Sequence, residues 1–403
     1  MTFSILRKVV IIACFFTLTQ VNAQETNAPK FGKGLFNLVG KDSTFTMKVG
    51  LRFQTLATSQ WDASNGLSNQ ETSMLIRRSR LKFDGWAFSP KLKYKLELGL
   101  SNRDQSGASY YTHDAPRYIL DAVLKWNFSG NFVLWLGQTK LPGNRERVVS
   151  SANMQLVDRS KLNSNFNIDR DIGAQLRHHF TIGKNFTVRE IFAVSQGEGR
   201  NITDNNLGGY QYTSRLEVLP FGAFASKGDY VGGDIKREKK PKLSLAGTYD
   251  LNDRAVKTKS NQGDYMVNDE GYFETDITTI FIDMMFKYKG FSMMGEYALR
   301  TADKDSILNT DGTTTGEFVE VGTGLNLQMG YLFEKNWEIA GRYTLTEWDK
   351  VVTGKEAQTQ YTLGVSKYFK GHKLKVQSDI TYSETVGSLD NDLMYRLQFD
   401  LHF

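Results

Sequence analysis

The sequence predicts an all-β protein, a transmembrane antiparallel β-barrel of about 16 strands. Three observations carry this prediction: segments that alternate between large apolar and polar residues, turns that alternate between short and long, and an N-terminal segment typical of export. Because backbone polar groups in lipid must be paired within the protein, a sheet of this kind is expected to close into a barrel.

The first 23 residues are predicted to be a cleaved export signal. Arg7 and Lys8 form its basic start, and residues 9–18 form an apolar run of about ten residues, which is too short to span a bilayer. Residues 21–23 (VNA) provide a small-residue cleavage site. The single cysteine, Cys14, would leave with this segment, so we expect neither disulfides nor thiol chemistry in the exported protein.

The rest of the chain is predicted to comprise an N-terminal periplasmic segment, residues 24–42, and the barrel, residues 43–403. The last strand shows the two-residue period most clearly. Its apolar face contains Leu393, Tyr395, Leu397, Phe399, Leu401 and Phe403, and its polar face contains Arg396, Gln398, Asp400 and His402. A soluble sandwich or propeller would point the apolar face inward. The export signal, the turn asymmetry and the terminal aromatic Phe403 favour the barrel and an outer-membrane location.

The turns alternate in length, as they do in barrels with short periplasmic turns and long outer loops. The long polar segments are residues 61–71, 103–116, 140–167, 196–209, 250–271 and 301–316. The third of them, residues 140–167, is predicted to fold into the lumen and narrow it; the alternative is a surface loop whose charges are solvated. Residues 221–240 break the pattern, because this long, Gly-rich and charged segment occupies a place where a short turn is due.

Composition excludes several other classes. The formal net charge of +6, which falls to +4 without Arg7 and Lys8, is low for a nucleic-acid binder. The five histidines show no H-E-x-x-H spacing, and His178 and His179 would point to opposite faces of a strand. Neither G-x-S-x-G nor a phosphate-binding P-loop occurs. We therefore expect neither an enzyme, nor a metal site, nor a cofactor.

A cluster of cations on neighbouring strands is the main candidate site. If Leu81 and Phe83 face lipid, then Arg78, Arg80 and Lys82 face the lumen. By this alternation Arg77 would face lipid, where an arginine at mid-depth costs about 2–4 kcal/mol. A β-bulge next to Arg77 would be needed to turn it towards the lumen. The other candidate anion-pathway residues are Arg52, Lys93 and Lys95 on strands and Lys140, Arg145 and Arg147 on the third loop. Alternatively, these cations only hydrate the lumen or lie near lipid headgroups.

Several segments resemble the phosphate-selective porin O and P family. Residues 76–81 (IRRSRL) resemble its R-R-x-x-L strand, and residues 137–146 (GQTKLPGNRE) resemble its G-Q-x-K-x-P-x-x-x-E loop entry. Residues 158–160 (DRS), 170–173 (RDIG) and 395–399 (YRLQF) are similar to its E-R-S, R-D-x-G and R-L-Q segments, with Asp158 in place of the family's Glu.

This resemblance implies a homotrimeric 16-stranded barrel with an inward third loop and a basic lumen that passes anions. It places Arg77 and Arg78 at the paired arginines of the constriction. The predicted function is passive diffusion of small anions, with phosphate as a candidate, across the outer-membrane bilayer. Two alternatives stay open. One is a non-selective porin whose cations are balanced by Asp169, Asp171, Glu296 and Glu320, and the other is a structural or adhesive barrel without conductance.

Overall fold

The computed structural model describes residues 30–403 apart from 65, 204, 389 and 390. The predicted export signal and residues 24–29 therefore lie outside the described residues. The fold is almost entirely β-structure. Within the described residues, four short α-helices occur, all in loops: α1 (Asn102–Gln105), α2 (Arg145–Val148), α3 (Lys161–Phe166) and α4 (Lys350–Thr353). No helix in the described part of the chain is both long and apolar enough to cross a bilayer.

Sixteen long strands form the barrel, numbered here in chain order. They are β1 (Phe45–Asp62), β2 (Ser68–Ala87), β3 (Ser89–Gly99), β4 (Ile119–Ser129), β5 (Phe132–Lys140), β6 (Arg170–Ile182), β7 (Phe186–Ser195), β8 (Gln211–Leu219), β9 (Lys242–Ala255), β10 (Thr275–Tyr288), β11 (Phe291–Ala302), β12 (Gly322–Leu332), β13 (Trp337–Trp348), β14 (Gln358–Tyr368), β15 (Leu374–Thr385) and β16 (Asn391–His402). The prediction of a 16-stranded antiparallel barrel is confirmed.

Every strand pairs with its sequence neighbours, and the sheet closes between its first and last strands. Strand β16 lies antiparallel to β1 with a register that runs from Arg52 opposite His402 to Asp62 opposite Asp392. A short strand, Phe36–Val39, pairs antiparallel with residues 46–49, the part of β1 that precedes its pairing with β16. Closure removes the unpaired edges that lipid would not tolerate.

The pleat separates an apolar outside from a polar inside. Leu363, Ile282 and Phe399 are more than half exposed on the outer face. On β16, the intervening Gln398 and Asp400 are buried towards the interior. Buried polar side chains and exposed aliphatic ones are the reverse of a soluble sandwich, as expected when lipid is the outer solvent.

The connections are asymmetric, as predicted, although some bounds differ. One side has short turns at 88, 130–131, 183–185, 289–290, 333–336 and 369–373 and the long segment 220–241. The other side has loops at 63–67, 100–118, 141–169, 196–210, 256–274, 303–321, 349–357 and 386–390. The predicted long loop at 61–71 is wrong: β1 and β2 extend into it and leave only 63–67, because their polar tips continue to pair with each other. Small hairpins such as Lys257–Lys259 with Gln262–Tyr265 occupy the longer loops.

The lumen contains its own small apolar core. Leu162 and Phe166 of α3, together with Leu141 and Ile168 at the two ends of the third loop, are almost fully buried. They pack against small and aromatic wall residues, among them Phe281 of β10. The third loop is therefore folded into the barrel, as predicted, and burial of these apolar side chains stabilises it there.

Candidate functional site

Buried polar contacts with the far wall fix the third loop in place. The Arg145 side chain donates to Asp283 Oδ1 at 2.9 Å and to Ser244 Oγ at 3.0 Å. The backbone N–H of Glu146 donates to Glu296 Oε1 at 2.6 Å. Near the end of the loop, the N–H of Val157 donates to Asp379 at 3.1 Å. These contacts hold the loop against strands β9 to β15 and leave space on the opposite side of the lumen.

The segment that breaks the turn pattern, residues 220–241, also enters the lumen, but from the short-turn side. Tyr230 donates to Glu217 at 2.7 Å, and Asp229 pairs with Arg189. The ammonium group of Lys287 donates to the carbonyl of Val231 at 2.7 Å. The length and charge of this segment therefore have a structural reason: its polar groups are satisfied inside the barrel. We call residues 220–241 the inner plug.

Two large cavities lie in the lumen, both lined by residues of strands β2 and β4 to β6, and the outer one is also lined by residues of β13 to β16. The outer cavity, of about 780 Å³, opens towards the long loops and the inner cavity, of about 730 Å³, opens towards the short turns. Arg80, Lys140 and Arg170 line both, so the two cavities meet at these three cations. We call these three cations the junction between the two cavities.

A bulge brings Arg77 into the outer cavity. Gln54 of β1 pairs with Arg78 and the next residue, Thr55, pairs with Ile76, so Arg77 is an extra residue in β2. Its guanidinium donates to Asp158 at 2.6 Å, and Arg78 lies 3.6 Å from the same carboxylate. The bulge resolves the parity conflict, because it turns both arginines inward.

Asp158 is the carboxylate that these arginines share. Burial works to raise its pKa, but Arg78 and Arg77 together hold the pKa well below its usual value. The side chain therefore stays ionised at any physiological pH. One carboxylate placed between two guanidinium groups leaves a net positive charge at this wall.

Other cations of the outer cavity are held by carbonyl oxygens rather than by carboxylates. Arg159 donates to the carbonyls of Glu146 and Val149 at 2.9 and 2.8 Å. Arg200 donates to the carbonyls of Asp104 and Arg117 at 2.7 and 2.9 Å. Burial and repulsion from Arg147 lower the pKa of Arg159 to about 9, and burial lowers the pKa of Arg200 to about 10. These groups are fixed in position, but their charge is not neutralised.

The three junction cations differ in how they are held. Arg80 pairs with Asp104 at 2.9 Å and Glu97 at 3.2 Å, and Arg170 pairs with Asp121 at 3.1 Å. The ammonium group of Lys140 instead donates to the backbone carbonyls of Arg147 and Val149. Among the described residues, no carboxylate lies within 4.0 Å of that ammonium group, so Lys140 has no acidic partner at the junction.

The structure distributes the predicted pathway residues over three environments. Arg77, Arg78, Arg80, Lys140 and Arg147 line the outer cavity, and Lys95 lines the inner one. Arg52 and Arg145 do not line either cavity: they are buried in ion pairs that hold the barrel seam and the third loop. Lys82, which pairs with Asp84 at 2.7 Å, and the exposed Lys93 also lie outside both.

Sequence reasoning missed several cations of the route. The missed residues include Arg103, Arg117, Lys125, Arg170, Arg177, Arg189, Arg200, Arg215, Lys227, Lys257, Arg342 and Arg396. Arg170 lies in the R-D-x-G segment, which could have drawn attention to it. The others come from separate loops and strands, and no local spacing brings them together. In the described part of the chain, no group of three or more His, Cys, Asp or Glu side chains could hold a metal ion.

A closed 16-stranded barrel with an apolar outer face, an inward third loop and polar cavities along its axis defines an outer-membrane porin, a channel rather than an enzyme. The chain belongs to the phosphate-selective porin O and P family, whose family model matches residues 47–394.

Individual relatives are distant. An uncharacterized protein of Aquifex aeolicus (strain VF5) is 24% identical over 353 residues, which cover 81% of this chain and 80% of that protein. Among solved structures, OmpF of Salmonella typhi in complex with daunomycin has a TM-score of 0.57 at 9% identity, covering 90% of this chain and 99% of its own. The anion-selective porin from Comamonas acidovorans has a TM-score of 0.54 at 12% identity, covering 89% and 100%. The trimer form of OmpT from Vibrio cholerae has a TM-score of 0.52 at 14% identity, covering 89% and 100%. At these identities the likeness concerns the fold.

Proposed function

We propose that this porin passes small anions in preference to cations, with phosphate among its candidate solutes. The observation that carries the proposal is the charge of the outer cavity. Among the described residues, its basic lining consists of Arg77, Arg78, Arg80, Arg103, Arg117, Lys140, Arg147, Arg159, Lys161, Arg170, Arg200, Lys257, Arg342 and Arg396, and its acidic lining consists of Asp104, Asp158 and Asp169.

Such an excess of cations in a cleft with low-dielectric walls raises the local concentration of anions and repels cations. Guanidinium groups can bind an oxyanion through two parallel hydrogen bonds, whereas lysine acts as a point charge. Several of these arginines already donate to carbonyls or carboxylates, which leaves fewer donors free for a solute. Passage requires binding weak enough for the ion to leave again, and partly occupied donors suit that requirement.

The alternative of a non-selective porin depends on carboxylates that balance the cations. Of the four carboxylates considered for this role, only Asp169 lines a cavity. Glu296 accepts from the N–H of Glu146, Asp171 accepts from the N–H of Gly197, and Glu320 pairs with Lys259. Three of the four are thus engaged elsewhere, which favours anion preference over balance.

The fold comparisons are consistent with this proposal. One similar barrel, that of Comamonas acidovorans, is an anion-selective porin, and the family is described as phosphate-selective. From the sequence pattern of residues 1–23 we also propose export through cleavage after residue 23 and a periplasmic segment at 24–42. We further propose a homotrimer, which the trimer form of the similar OmpT barrel supports. Chemical cross-linking in mild detergent, followed by mass determination, tests the trimer. Mass spectrometry of the N-terminus of the membrane-inserted protein tests the cleavage.

Selectivity is tested by reconstitution in a planar bilayer under a potassium chloride gradient. The reversal potential should indicate that chloride is more permeant than potassium. Lys140→Gln should reduce that preference, because it removes a basic group at the junction without leaving a carboxylate unpaired. Lys350→Gln is the matched control: this side chain is 67% exposed on an outer loop, away from both cavities.

Three outcomes would reject the proposal: cation preference, equal permeability, or the absence of conductance. The last would instead support a structural or adhesive barrel. Titration of inorganic phosphate into the chloride solution then tests the solute. A reduction of chloride current at millimolar phosphate, weakened in Lys140→Gln, is expected if phosphate occupies the junction.

A further inference from the structure

The inner cavity differs from the outer one in its chemistry. Its lining combines cations and the carboxylates Glu97 and Asp121 with a set of apolar and aromatic side chains, whereas Leu120 and Met394 are the large apolar residues among the described lining of the outer cavity. The apolar lining of the inner cavity includes Val133, Trp135, Val148, Ile191, Phe224 and Tyr230. These residues come from strands β5 and β7, the third loop and the inner plug, so the apolar surface exists only in the folded barrel.

Two cations of this cavity lie beside Trp135. The ammonium nitrogen of Lys125 is 3.7 Å, and the guanidinium carbon of Arg177 is 3.9 Å, from the centroid of the Trp135 ring. Arg177 donates to the neutral side chain of Gln175 at 2.8 Å. No carboxylate of the described residues lies within 4.0 Å of either cationic group. The indole ring contacts both cationic groups, and neither group has an acidic partner among the described residues.

We propose that the inner cavity binds organic anions that carry an apolar or aromatic body, with Lys125 and Arg177 pairing with the acidic group. This inference rests on the proposed anion passage and specifies its solute class. An inorganic oxyanion gains nothing from Trp135, Val133 or Phe224 and loses hydration beside them. A carboxylate or phosphate ester with a ring covers that apolar surface while its charged end pairs with the two cations.

The volume of about 730 Å³ is in the range of cavities that hold small organic molecules. The cavity opens to the short-turn side and, through the junction, to the outer cavity, so a bound solute can leave in either direction. An apolar contact of this size adds affinity without fixing the solute as tightly as a complete set of hydrogen bonds. The site therefore selects solutes and still releases them.

Matched pairs of anions test this proposal in the intact channel. Chloride current through the wild-type protein is measured while phenyl phosphate or inorganic phosphate is added on the short-turn side, and then benzoate or acetate. Phenyl phosphate should block the current at a concentration about tenfold lower than inorganic phosphate does, and benzoate at a concentration about tenfold lower than acetate does. A phenyl group buries enough apolar surface to account for that ratio.

Single-residue variants test which side chains cause the difference in block within each pair. Trp135→Ala should remove most of the difference within each pair, and Trp135→Phe should retain part of it. Trp126→Ala is the control, because Trp126 lies on the lipid face of the adjacent strand and is half exposed. Lys125→Gln should weaken block by both members of a pair.

The outcomes separate this inference from the proposed function. A channel that prefers chloride but is blocked equally by phenyl phosphate and phosphate overturns the inference alone. A difference that persists in Trp135→Ala also overturns it, since the apolar contact would then lie elsewhere. A channel without anion preference rejects the proposed function, whatever the blocking experiment gives.

Discussion

The backbone N–H of Gly232 donates a 2.7 Å hydrogen bond to the carbonyl oxygen of Asn153. Gly232 belongs to the inner plug and Asn153 to the third loop, so segments that enter the barrel from opposite ends meet inside it. His372 adds a hydrogen bond of 2.9 Å between its Nε2 and the carbonyl of Gly232. Together the two segments fill part of the lumen and leave the two cavities beside them as its open space.

Substitution of Gly232 should separate these segments. A Cβ at this position would lie 2.6 Å from the backbone nitrogen of Gln155 and 2.8 Å from the carbonyl oxygen of Asn153. Gly232→Val should therefore cost about 1–3 kcal/mol of stability through overpacking. It should also raise single-channel conductance, by about twofold if the freed half of the lumen conducts like the open half.

The control for that experiment is Gly247→Ala, because a Cβ at this exposed position on β9 meets no atom within 4 Å. Its conductance should equal that of the wild type. Unchanged conductance in a correctly folded Gly232→Val protein would contradict the view that the contact between plug and loop closes part of the lumen.

Asp158→Asn should increase anion preference, the opposite of Lys140→Gln. The substitution removes the carboxylate that Arg77 and Arg78 share and leaves the positive charge of both arginines in the outer cavity. Reversal potentials in a salt gradient measure the change. Asp311→Asn, in an exposed outer loop, should leave the potential unchanged. A shift towards cations in Asp158→Asn would show that Arg77 and Arg78 do not act on the permeating ion.

The anion preference should fall as the pH rises from 7 to 9. Burial and repulsion from Arg117 lower the pKa of Lys257 to about 8, although Glu198 opposes the shift. Lys257, which lies in an outer-loop hairpin and lines the outer cavity, therefore loses its charge well before an ordinary lysine does. Lys257→Gln should remove this part of the pH dependence, and Lys257→Arg should also remove it while retaining the positive charge, which leaves the decline caused by Arg159 near pH 9.

The lowered pKa of Lys257 also predicts how the stability of the fold changes with pH. The folded state favours the neutral form of Lys257, so this group destabilises the fold while it is charged. Its penalty declines as the pH rises from below 8 towards the unfolded value of about 10.4. The free energy of unfolding of the wild type, relative to that of Lys257→Gln, should therefore be larger at pH 9.5 than at pH 7. Urea unfolding in lipid vesicles measures both values. The reverse order would contradict this assignment.

The seam that closes the barrel depends on a buried ion pair. Arg52 of β1 donates to both oxygens of Asp400 on β16, at 2.9 and 2.7 Å, and also to Ser151 of the third loop. Asp400→Asn leaves the guanidinium without its buried partner and should lower the free energy of unfolding by about 3–5 kcal/mol.

Urea unfolding followed by tryptophan fluorescence measures that loss. Asp253→Asn is the control, since the pair between Asp253 and Arg254 is exposed and worth about 0–1 kcal/mol. Equal stability of the two variants would indicate that the Arg52–Asp400 pair does not hold the seam.

Much of the barrel could be predicted from the chain because lipid imposes a strict two-residue period on every strand. On β16, apolar residues occupy positions 393, 395, 397, 399, 401 and 403 and alternate with Arg396, Gln398 and Asp400. The structure places these two sets on opposite faces of the strand. The inward third loop was also predictable, from its length and position. By contrast, the purpose of residues 220–241 was not, since nothing local indicates that a long turn folds back into a lumen.

The candidate site, like the fold, was predictable from the sequence only in part. The sequence alone determined that cations crowd β2 and the third loop, and it indicated that Arg77 needs a bulge to face inward. Only the tertiary structure decided which charges are free. Arg52 and Arg145 are held by Asp400 and Asp283, more than 100 residues away along the chain, whereas Lys140 meets only carbonyls. Partners so distant in sequence become neighbours through barrel closure and loop insertion, and no local pattern encodes that pairing.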